Sequence, residues 1–233
     1  MPYYYYGFDP TYFLVIIGAV ICMIASARVK STYNKYSQYR SASGMTGAQA
    51  AQRILNSAGI YDVTIQHVSG NLTDHYNPAN KTVNLSEGVY NSNSIMAAAV
   101  AAHECGHAVQ HARAYAPLTM RSKLVPVVSF ASNIMTWVLL AGILMLNSFP
   151  QLLLAGIILF AMTTLFSFIT LPVEINASKR ALVWLSNSGI TNSYNHAQAE
   201  DALRSAAYTY VVAALGSLAT LIYYIMIFLG RRE

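Results

Sequence analysis

The residues best equipped for chemistry are His103, Glu104 and His107, in the stretch His103-Glu104-Cys105-Gly106-His107. Residues i and i+4 share one face of an α-helix. Two imidazoles at that spacing can chelate one Zn²⁺ through nitrogens at about 2.0–2.1 Å. Glu104 is rotated aside by one position. It suits a general base toward an activated water better than a ligand of the same kind. Zinc in such a site lowers the pKa of water to about 7, so the pattern reads as hydrolysis at neutral pH. The bland alternative is a polar helix face with two hydrogen-bonded histidines.

A catalytic zinc site takes three protein ligands and keeps one position open. The extended pattern with a third histidine fails, because Gln110 stands at its glycine position and Arg113 at its histidine position. His111 lies eight residues from His103. That is about 12 Å along a helix, too far to share one tetrahedral ion. A downstream carboxylate is the better third ligand, and the candidates are Glu174, Glu200 and Asp201. Glu200 has Arg204 four residues on and reads as an exposed helix pair. Glu174 ends a run of 50 residues, Leu124–Val173, without Asp, Glu, Lys or Arg. An acid beside such a run is costly unless partnered, which favours Glu174. Its alternative reading is an interfacial acid paired with Lys179 or Arg180. Ligating histidines usually donate their other N–H to a supporting group. Asn176 and Ser178 are the candidates for that, with Asp74 and His75 behind them. His75 or a tyrosine could also stabilise an oxyanion, although His75 reads equally well as a surface residue.

These side chains need elements to hold them. Ser94 caps a helix that begins at Ile95, carries the motif and ends before Pro117. Thr46–Ala58 reads as a helix with Thr46 as N-cap and Gly59 at its C-terminal end. Val63–Val68 alternates like a strand. Leu72–Tyr76 and Lys81–Leu85 flank Asn77-Pro78-Ala79-Asn80 as a hairpin. An edge strand beside the motif helix could hold an extended peptide by strand addition.

Composition sets the surroundings. Only 10% of the 233 residues are charged and 55% are hydrophobic, with a mean hydropathy of +0.39. An average soluble domain is about 25% charged, so an ordinary soluble domain is excluded, and so is disorder. Four apolar segments of spanning length can be drawn, at about 10–27, 124–146, 151–171 and 206–229. Asn147-Ser148-Phe149-Pro150 joins the middle two as a helical hairpin. Tyrosines at Met1–Tyr6 and around the last segment suit interfacial belts. Ala25-Ser26-Ala27 resembles a signal cleavage site. The positive charges, however, follow the first apolar run instead of preceding it, which favours an uncleaved anchor. Twelve of the fourteen Lys and Arg then fall on the cytoplasmic side, with Arg231 and Arg232 outside. The net charge of +5 is thus a topology signal. No basic stripe with interleaved aromatics points to nucleic acid, no glycine-rich loop to phosphate, and Cys22 and Cys105 make no disulfide framework.

KSTYNKYS (Lys30–Ser37), LTDHYNP (Leu72–Pro78), LSEGVYNSNSI (Leu85–Ile95), VAAHECGHAVQH (Val100–His111), YAPLTMRSKLVPV (Tyr115–Val127) and LPVEINASKRAL (Leu171–Leu182) carry a resemblance. The chain resembles the bacterial YugP-like family of membrane-bound neutral zinc metallopeptidases. More distantly its layout is similar to HtpX and the CAAX prenyl proteases. The resemblance implies one zinc held by His103, His107 and Glu174, with Glu104 catalytic. Close family members often carry aspartate where this chain has Asn176, so a carboxylate is missing near the ligands.

The expected fold is α+β: a mainly helical integral membrane protein of about four transmembrane helices with a zincin-like, gluzincin-type domain. The expected organisation is an anchor at 1–27, a cytoplasmic zincin-like domain at 28–123 and a transmembrane hairpin at 124–173. A helical segment at 174–204 carries the third ligand, and the last transmembrane helix is 205–233. The expected function is a zinc endopeptidase with its site facing the cytoplasm, acting on protein or peptide substrates in or near the lipid bilayer. Membrane-protein partners fit that setting and nucleic acid does not. The alternative of another class is a non-proteolytic membrane scaffold with a structural zinc. A transporter is disfavoured because the spans themselves carry no ionisable residue.

Overall fold

A computed structural model describes residues 12–230. The elements in chain order are helix α1 (Tyr12–Tyr36), helix α2 (Gly47–Ser57), strands β1 (Thr64–Val68), β2 (His75–Asn77) and β3 (Thr82–Ser86), and helices α3 (Glu87–Tyr90), α4 (Ile95–Ala112), α5 (Ala116–Leu144), α6 (Pro150–Asn187) and α7 (His196–Gly230). The molecule is mainly helical with one small sheet. The N-terminal tyrosines, the first two residues of the first apolar segment, and Arg231 and Arg232 lie outside the described residues.

Helices α1, α5, α6 and α7 are each long and apolar enough to cross a membrane. They run past the segments drawn from hydropathy. Helix α1 continues through Arg28, Lys30 and Lys35, and α6 runs unbroken through Pro172. The boundary drawn at 173/174 therefore falls inside a helix. Pro172 lacks only one donor, and a membrane helix with neighbours tolerates that loss.

The chain forms two compact units. One comprises residues 12–24, 124–168 and 211–230. Within it Gly142 sits against Leu153, where a Cβ would lie 2.5 Å from the Leu153 Cα. Gly156 meets Leu139 in the same way. Glycine is thus what lets α5 and α6 close as a hairpin. Leu139, Leu153 and Ile157 make its small core. Outward-facing Phe130, Trp137 and Leu165 stay exposed, an apolar surface suited to hydrocarbon rather than water.

The other unit comprises residues 25–123 and 169–210 and holds the larger core. Helix α2 begins with a complete capping box: Thr46 Oγ1 accepts from Gln49 N–H, and the Gln49 side chain accepts from Thr46 N–H. The sheet order is β1-β3-β2, with β1 parallel and β2 antiparallel to β3. The expected hairpin is present, but β2 starts at His75 rather than Leu72. Two features delay it. Leu72 sits in a left-handed conformation at φ 58°. Asp74 accepts from both the N–H (2.7 Å) and the hydroxyl (2.9 Å) of Ser86 instead of entering the ladder.

Helix α4 is the central element. Ser94 caps it through Ala97 N–H, and it ends at Arg113, before Ala114 at φ 48°. Its alanines at 97, 98, 101, 102 and 108 are all buried, and small side chains allow close packing on several sides. The closest approach is at Gly106. A Cβ there would lie 2.7 Å from Ala177 O and 3.0 Å from Ala177 Cα. This contact places α6 directly against the motif.

Candidate metal centre

His103 and His107 project from one side of α4, and α6 delivers Glu174 between them. The Glu174 Oε2 atom is 3.2 Å from His103 Nε2 and 3.5 Å from His107 Nε2. One ligand atom from each residue lies within 4.8 Å of the others. Bonds of about 2.0–2.1 Å in a tetrahedron put neighbouring ligand atoms roughly 3.3 Å apart. The two separations between Glu174 and the histidines fit that edge, and two imidazole nitrogens with one carboxylate oxygen form a donor set suited to zinc.

The far side of each ring is also held. His103 Nδ1 lies 3.1 Å from Ser178 Oγ. His107 Nδ1 lies 3.0 Å from Gln110 Oε1. Gln110 is fully buried, and its amide donates to Val173 O at 2.8 Å and to Asn176 Oδ1 at 3.1 Å. A carbonyl can only accept, so the amide cannot be turned over and Oε1 must face the ring. An acceptor at Nδ1 fixes a proton there, so Nε2, on the Glu174 side, is the nitrogen available to a metal. Asn176 Oδ1 also accepts from Arg180 Nε at 2.7 Å, so the neutral amide meets both donors.

Glu174 is 2% exposed, and a carboxylate that deep needs partners. Besides the histidines it has Arg121, whose guanidinium donates to Oε1 at 3.1 Å. Its two oxygens therefore do different things: Oε1 takes the arginine and Oε2 faces the imidazoles. Burial alone would push His107 down, but Glu174 and Glu104 nearby raise it above the ordinary imidazole value.

Glu104 is buried on the same helix, and its Oε2 accepts from the N–H of Tyr76 at 3.0 Å. Tyr76 lies on β2, which takes an edge position in the sheet, so an outward-facing backbone donor fixes the carboxylate. The Tyr76 hydroxyl lies 2.8 Å from His111 Nδ1, which ties the same strand to the same helix. Burial, then the Asp62 charge, raises the Tyr76 phenol.

Several other sequence candidates fall elsewhere. His111 is exposed and partnered by Tyr76. His75 is exposed with Nδ1 on Thr73 O. Asp74 serves Ser86 and not the histidines. Asp201 accepts from Arg28 and from the Tyr36 hydroxyl at 2.9 Å, so it anchors α1. Glu200 is exposed and does not join the cluster, which is the one such triad among the described residues. Glu174 pairs with Arg121 and not with Lys179 or Arg180. Ser178 is where the i+4 spacing from Glu174 puts it. Two residues of the site, Gln110 and Arg121, are not among the candidates the sequence offers for it. The signal available for Gln110 was its i+3 spacing from His107.

Two histidines and a glutamate brought together in this way are compatible with a zinc peptidase. The chain belongs to the family described as "Putative neutral zinc metallopeptidase", which matches residues 11–229. It is similar to the "Putative membrane protease YugP" of Bacillus subtilis (strain 168), with 45% identity over 221 residues, covering 95% of this chain and 97% of that relative. No solved structure matches the chain. With four apolar helices and a membrane protease as relative, a membrane location is supported.

Proposed function

We propose that this protein is a membrane-bound zinc endopeptidase that hydrolyses peptide bonds of membrane or membrane-proximal proteins. The observation that carries this reading is the convergence of His103, His107 and Glu174 within 4.8 Å, beside Glu104 on the motif helix. His103 and His107, through Nε2, and Glu174, through Oε2, would hold the zinc ion. Bound there, zinc supplies Lewis-acid polarisation of water and of the substrate carbonyl.

The chain's own groups do the rest. Gln110 and Ser178 keep the ring nitrogens aimed. Arg121 occupies the second oxygen of Glu174, leaving one oxygen for the ion. Glu104 takes the proton of the attacking water at Oε1 and passes it to the departing amine, while Tyr76 N–H holds Oε2. Strand β2 runs beside α4 at the sheet edge, and an extended peptide adding there would compete with Glu104 for the Tyr76 N–H.

The three-stranded sheet beside the motif helix supports reading residues 28–123 as a zincin-like, gluzincin-type domain. By the lysine and arginine distribution residues 28–123 and 174–204 face the cytoplasm, and of the described residues 12–27, 124–173 and 205–230 belong to the membrane parts.

The test uses purified full-length protein, zinc-loaded, with a proteome-derived peptide library. Cleavage should stop on chelation and return on adding zinc. Cleavage that survives chelation, or none by the loaded protein, would overturn the reading.

A further inference from the structure

We infer that the cavity beside Glu104 is a specificity pocket that takes an uncharged, apolar side chain flanking the cleaved bond. The inference rests on the peptidase reading and extends it to the kind of substrate. The cavity has a volume of about 170 Å³ and is bordered by His103, Glu104 and Glu174. A side chain seated there belongs to a residue next to the reacting bond.

Its walls follow from helix register. Met96 and Val100 precede His103 by seven and three residues, so the ligand face of α4 continues as an apolar wall. On α7, Ala202, Leu203 and Ala206 share one face and form the opposing wall. Val29 of α1 adds to it. A cavity of about 150 Å³ lined by aliphatic and aromatic groups accepts a benzene ring, so this one has room for a side chain of the size of leucine, methionine or phenylalanine.

Charge narrows the choice. No lysine or arginine borders the cavity, so an acidic side chain would meet carboxylates and no cation. The three acids at its border are already engaged. Asp74 is held by Ser86, Glu104 by Tyr76, and Glu174 by Arg121 and the histidines. A lysine ammonium would give up its hydration in a mostly apolar cavity, a cost that attraction to carboxylates already hydrogen-bonded repays poorly. Tyr33, Ser178 and Tyr210 also border the cavity, but most of its lining is apolar, so apolar burial is the larger source of selectivity.

The experiment is mass-spectrometric mapping of cleavage sites in a proteome-derived peptide library, with zinc-loaded full-length protein. Leu, Ile, Met, Val or Phe should be enriched about tenfold at one position flanking the cleaved bond, with Asp and Glu depleted. Ala206→Leu should fill the pocket and move that preference to Gly, Ala and Ser. Val100→Ala should widen it and move the preference toward Phe and Tyr; this variant removes volume and serves if Ala206→Leu fails to fold. Cleavage without apolar enrichment, enrichment of Lys or Arg there, or zinc-bound variants with unchanged preference would overturn the pocket assignment alone. Absence of any zinc-dependent cleavage by the unaltered protein would overturn the peptidase reading beneath it.

Discussion

Helices α4 and α6 each contribute to the candidate centre, but in different ways. Helix α4 brings His103, Glu104, His107 and Gln110 by local spacing within about two turns. Helix α6 brings Glu174 and Ser178 from 71 and 75 residues beyond His103. Nothing local places them. They arrive because α6 packs on α4 where Gly106 has no side chain. The supports divide in the same way: His107 is steadied from its own helix by Gln110, and His103 from the other by Ser178. One half of the site is a helix pattern and the other is a packing event, so damage to each should look different.

The largest expected effect strikes chemistry alone. Glu104→Gln should lower kcat by about 10²–10⁴-fold while zinc content stays unchanged by metal analysis. Arg121→Ala strikes the α6 half. Removing one partner of a buried ion pair costs about 3–5 kcal/mol. That loss should be full in metal-free protein and smaller with zinc bound, since the cation then neutralises Glu174; denaturation with and without zinc measures the difference. Gly106→Ala strikes the junction. Overpacking costs roughly 1–3 kcal/mol, and zinc affinity should fall with stability because the two helices are driven apart. The smallest effects belong to the supports. Gln110→Ala and Ser178→Ala should each weaken zinc binding about 10–100-fold. Gln110 belongs at the upper end, because its loss also removes the side-chain donor to Val173 O and one of the two donors to Asn176 Oδ1.

What could be read from the sequence follows the same division. The two histidines and Glu104 come from a four-residue period, and the cap at Ser94 comes with them. Glu174 was legible as an acid beside a long uncharged run, where an unpartnered charge is expensive. Its partner was not. Arg121 lies 53 residues away, and charge patterning pointed instead to Lys179 and Arg180 nearby. Gly106 had a signal: a mid-helix glycine costs about 1 kcal/mol against alanine, so it needs a packing reason. That reason, Ala177, belongs to the tertiary structure. Strand β2 begins later than the run from Leu72 suggests, because Asp74 takes the Ser86 donors instead of entering the ladder.

The central claim is that α6 completes the metal site with Glu174. The most direct measurement is zinc bound per chain at a fixed low free-zinc concentration, for the unaltered protein and for Glu174→Ala. The account predicts about one zinc per chain in the first and far less in the second, with the fold retained. Equal zinc, bound equally tightly, in both proteins would contradict it.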